Sequence, residues 1–85
     1  MAKPKNWDKL SDGQKINVVR KMGNDRIGFL IRQTRAITGI DISITDKSRM
    51  IATLRTAIGT LQMRDTPDYS NIEDMEMMIE YLELG

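Results

Sequence analysis

The sequence predicts an all-α fold, and three observations support this. Apolar residues recur in steps of three and four over three separate stretches; Gly39 and Pro67 fall between them; and the only stretch with strand alternation has no partner strand. At 85 residues the chain makes one domain with a limited core, so self-association is expected. The expected architecture is an antiparallel hairpin of two long helices plus a third, acidic amphipathic helix.

Residues 1–10 form a basic lead-in with Lys3, Pro4, Lys5 and Lys9, expected to be mobile as far as Trp7, the only tryptophan. Two readings of Trp7 stand side by side. The ring folds back on the first helix as a local hydrophobic plug, or it offers a flat stacking surface for a base beside lysines. In an oligomer both would hold.

Residues 11–38 read as one long helix. Ser11 and Gln14 make a capping box, and Ile16, Val19, Gly23, Ile27, Leu30, Thr34 and Ile37 line a single stripe that forms a seam for a partner helix. Gly39 follows the last apolar residue, where a left-handed glycine commonly ends a helix. Gly23 and Gly28 would each cost about 1 kcal/mol inside a helix. Close approach of another helix is the preferred explanation for Gly23, which lies on the seam, and a kink or a break into two shorter helices is the alternative. Arg20, Lys21, Arg26, Arg32 and Arg35 fall mainly off the seam and form a basic strip.

Residues 39–45 alternate isoleucine with polar residues and are expected to form an extended linker whose Ile40, Ile42 and Ile44 plug the end of the core. Thr45 then caps a second helix over 46–64, with Asp46 in its first turn. Met50, Leu54, Ala57 and Leu61 make its seam, widened by Ile51 and Ile58. Arg49, Arg55, Thr56 and Gln62 fall away from it. After a turn around Pro67, Ser70 and Glu73 form a second capping box for a helix over 71–84. Ile72, Met75, Ile79 and Leu82 share one face of that helix, and the other face is acidic. Met75, Met77 and Met78 read as flexible core filler.

Charge divides along the chain. Residues 1–64 hold all thirteen Lys and Arg with five acids, a balance of +8, and residues 65–85 hold the other seven acids and no base, a balance of −7, so the whole carries +1. A basic body can attract an anionic partner, and an acidic segment can lie on it or on a neighbouring subunit. Ordinary solvated helix faces would look the same.

There is no cysteine and no histidine, which removes disulfides, thiolate metal sites, the commonest general base and the strongest nucleophile. No phosphate-cradling glycine loop follows a strand, no calcium loop is present, and no apolar run approaches the roughly 20 residues needed to span a bilayer. A non-enzymatic protein of the cytoplasm, without cofactor or metal, is expected. Arginine and lysine on the first two helices are the anion-attracting groups. No convincing helix-turn-helix is present, so a nucleic-acid polymer is the weaker candidate ligand.

The run Trp7-Asp-Lys-Leu10-Ser11, the Arg20-Lys21-Met22-Gly23 segment, and Arg49-Met-Ile-Ala-Thr-Leu-Arg55-Thr56 together resemble the small helical phage proteins that sequester cyclic oligonucleotides to block CBASS immunity. The similarity covers roughly residues 6–64. It implies a helical hairpin assembled into a hexamer that binds cyclic dinucleotides and trinucleotides between subunits without cleaving them, in the host cytoplasm. Trp7 would stack on a base, Arg20 or Lys21 would meet a phosphate, and Arg55 with Thr56 would line a second pocket. Three departures stand out: tryptophan where tyrosine is expected, a basic residue and glycine that arrive early after Leu-Ser, and an acidic third helix without a place in the family pattern. The competing expectation is a small inhibitor or adaptor that binds a host protein through that acidic helix. The sponge reading requires cations from separate helices to meet in one hollow, expected between copies; those groups scattered outward, with Trp7 sealed inside a solitary monomer, would defeat it.

Overall fold

The computed structural model describes residues 3–41 and 46–84, and these are helical throughout their regular structure. A 3-10 turn at Trp7–Lys9 leads into α1 (Asp12–Lys21), α2 (Asn24–Thr38), α3 (Lys47–Gln62) and α4 (Tyr69–Leu84). No helix among the described residues is long and apolar enough to cross a membrane.

The expected helix over 11–38 is two helices, so four stand where three were anticipated. Its start is as read: the Ser11 hydroxyl accepts from the Gln14 N–H at 3.2 Å, and the Gln14 side chain accepts from the Ser11 N–H at 2.9 Å. The break lies at Gly23, whose φ of 84° and ψ of 158° place it in a region that only glycine occupies without strain. Before it, the Met22 and Gly23 N–H groups tighten onto the Val19 and Arg20 carbonyls. After it, the Gly23 carbonyl accepts the Ile27 N–H at 3.1 Å and opens α2. A Cβ added at Gly23 would meet nothing within 4 Å, so backbone conformation and not close helix approach explains this glycine.

The break splits the seam between two cores. Val19 packs with Trp7 and Met77, while Leu30 joins Met50, Leu54, Ala57, Ile58, Leu61, Ile72, Met75, Met78 and Ile79. Helix α4 feeds both cores and packs against α3 and α1, and α2 packs against α3. Helix α4 is therefore central to the fold, its apolar face in the core as read. The three methionines are buried, as core filler should be. Thr34, a polar residue on the seam, is accommodated because its hydroxyl donates to the Leu30 carbonyl at 2.7 Å.

Two caps differ from expectation. Asp46, not Thr45, caps α3, its carboxylate accepting the Arg49 N–H at 3.1 Å; Thr45 lies outside the described residues. Asp68 caps α4 by accepting from the Asn71 N–H at 3.2 Å, which starts the helix at Tyr69 and leaves Ser70 inside its first turn. Asp46 stands one residue after the expected cap and Asp68 two residues before it, and in both cases a carboxylate occupies the capping position. Gly39 ends α2 in the left-handed conformation, at φ 68°. Ile40 beyond it is exposed and plugs nothing, and Ile42 and Ile44 lie outside the described residues.

Candidate functional site

Helix α4 carries five of the chain's twelve acids, and the fold engages them internally. Asp74 is wholly buried, and its Oδ2 accepts from Arg26 Nε at 3.0 Å and Nη2 at 2.9 Å, while Arg26 Nη2 also donates to Asn71 Oδ1 at 2.7 Å. Burial of a carboxylate is tolerated only with such compensation. Arg26 thus leaves the expected basic strip and points into the structure, its guanidinium 5.4 Å from the Phe29 ring centroid. On the outer side of the same helix, Glu83 meets Arg55 at 2.8 Å and Glu76 lies 3.9 Å from Lys3 Nζ.

Trp7 belongs to this internal network. Only 1% of it is exposed; its indole N–H donates to Glu80, and the Lys15 and Lys3 ammonium groups sit 5.4 and 6.0 Å from its ring centroid. Lys15 closes the triangle with a 3.1 Å bond to Glu80. Burial raises the Glu80 pKa, but the hydrogen bonds from Trp7 and Lys15 and the charges of Lys15 and Lys3 outweigh it, holding the carboxyl below its ordinary 4.5. With its edge bonded and its body packed on Val19 and Met77, the ring is a plug, and this chain leaves it no open face for a base.

The other residues singled out by sequence scatter. Arg55 is paired with Glu83, and the Thr56 hydroxyl donates to the Ala52 carbonyl at 3.0 Å within its own helix. Lys21 is exposed at the end of α1. Arg20 alone among them lines a hollow.

Two hollows adjoin across a wall shared by Arg20, Tyr81 and Leu82. One, of about 210 Å³, is completed by Ile16 and Lys47; the other, of about 180 Å³, is completed by Val19, Ile27, Ile31, Met50 and Met78. The break at Gly23 lets α1 and α2 contribute separate walls. The N-terminal turn of α3 brings Lys47, and the last turns of α4 bring Tyr81 and Leu82. Arg20 and Lys47 form no ion pair among the described residues, and no acid lines either hollow. Lys47 and Tyr81 escaped sequence reasoning because neither lies on an apolar seam nor in the basic strip of the first helix.

This arrangement can hold an anion against an apolar wall by charge, hydrogen bonding and contact. No acid–base pair lines it, and no group of three or more carboxylates suited to a metal ion occurs among the described residues. The chain matches no family model, no curated protein and no solved structure.

Proposed function

We propose that this chain is a non-enzymatic sponge that binds a cyclic oligonucleotide signal and removes it from the host cytoplasm, thereby blunting anti-phage immunity. The observation that carries this reading is the meeting of Arg20 and Lys47, from different helices and without acid partners, on a hollow walled by Tyr81. Arginine's planar fork suits phosphate oxygens, lysine adds a second point charge, and an aromatic wall suits a base. Trp7 has no part in it. The site is Arg20, Lys47 and Tyr81, in place of the Trp7, Lys21, Arg55 and Thr56 set suggested by resemblance.

Self-association belongs to the same reading, with α2 and α3 as its antiparallel hairpin. Each hollow is smaller than the roughly 300–1,000 Å³ that encloses a drug-sized ligand, so a second copy would complete the enclosure around a cyclic dinucleotide or trinucleotide. The acidic-helix inhibitor is less well supported, because Asp74, Glu80 and Glu83 already have partners inside the chain.

Titration calorimetry with cyclic dinucleotides and trinucleotides, beside a measurement of mass in solution, tests the proposal. Tight binding, recovery of intact ligand after denaturation, and a loss of about tenfold or more in Arg20→Ala are expected. Recovery of hydrolysed nucleotide, or affinity untouched by that substitution, would overturn it.

A further inference from the structure

The hollow bounded by Val19, Ile27, Ile31, Met50, Met78 and Leu82 is poorly suited to a base. Arg20 and Tyr81 are its only polar side chains. A nucleobase buried there would leave ring nitrogens and exocyclic groups without partners, whereas a hydrocarbon chain has none to satisfy. Its walls come from all four helices, so its aliphatic surface is held by the fold rather than by one loop. A purely apolar occupant is equally poorly matched, because the cation of Arg20 lines this hollow and its neighbour alike and no acid lines either.

We infer that this aliphatic hollow binds the hydrocarbon tail of a single-chain anionic amphiphile, a fatty carboxylate or alkyl phosphate, with the head group at Arg20 and Lys47. The charge at the mouth selects the head, and the six aliphatic walls select the tail. Binding is noncovalent and leaves the ligand unchanged. This goes beyond the nucleotide reading and stands or falls separately, since gains from tail length come from walls that a phosphate at the neighbouring hollow does not touch.

The probes are hexanoate, octanoate, decanoate and dodecanoate, kept below their micelle concentrations, with 1-octanol as the uncharged control. Calorimetric affinity should rise by about fourfold per methylene and then level off once the hollow is full. Octanoate should bind about tenfold tighter than octanol. Arg20→Gln should reduce that preference, and Arg20→Gln/Lys47→Gln abolish it, while both keep the chain-length increment, and Ile27→Phe, which fills the hollow, should bring the plateau to a shorter chain. If Ile27→Phe fails to fold, the exposed Arg20 site still decides the matter. Equal binding of octanol and octanoate, or affinity independent of chain length, would overturn the inference. So would a dimer that excludes every probe, because the hollow would then belong to a second copy.

Discussion

Arg20 and Arg26 stand on either side of Gly23 and end in opposite surroundings. Arg26 points inward to a wholly buried Asp74 and to Asn71, so its charge is consumed in holding α2 to α4. Arg20 remains at the surface on the rim of two hollows, one of which Lys47 also lines, and forms no ion pair with an acid among the described residues. On a continuous helix both would have read as parts of one solvated strip. The comparison shows that a basic residue's role here depends on whether the acids of α4 reach it, which helix charge alone does not reveal.

Substitutions that cross this divide should separate the two regions. The largest effect belongs to Arg26→Met, which removes the guanidinium compensating a buried carboxylate. A loss of about 3 kcal/mol is expected in urea unfolding, at the low end of the range for broken buried pairs because the Arg26 side chain is itself 25% exposed. An unchanged midpoint would move Arg26 to the surface class.

Glu80→Gln should cost no more than about 1 kcal/mol at neutral pH, since solvent screens the pair, and its signature is the pH dependence. A carboxyl whose folded pKa is depressed contributes stability that is complete above its ordinary value of 4.5 and is lost as pH falls from there through the lower folded value. The wild type should therefore lose its advantage over Glu80→Gln as acid is added. A difference that grows below pH 4.5 would reverse the assignment.

Local signals were legible in the sequence and long-range ones were not. The Ser11 box, the Gly39 stop and the Met50, Leu54, Ala57, Leu61 seam follow from residues a turn apart, and the structure places them as read. Gly23 was ambiguous because a glycine that permits close packing and one that adopts positive φ look alike in a sequence; only the backbone distinguishes them. The acids of α4 read as solvent-facing because their partners lie far along the chain: Arg26 is 48 residues from Asp74, Lys15 is 65 from Glu80, and Trp7 is 73 from Glu80. No periodicity encodes such pairings. The same limit hid Lys47 and Tyr81, which come from other helices than Arg20 and join it at the hollow only through tertiary packing.

The central claim is that the fold leaves Arg20 and Lys47 outside its own charge network. Urea unfolding of the double variant Arg20→Ala/Lys47→Ala tests this most directly. A stability within about 0.5 kcal/mol of wild type, as for surface positions without structural partners, is the predicted result. A loss approaching that of Arg26→Met would contradict the claim, because the two cations would then be holding the protein together instead of awaiting a ligand.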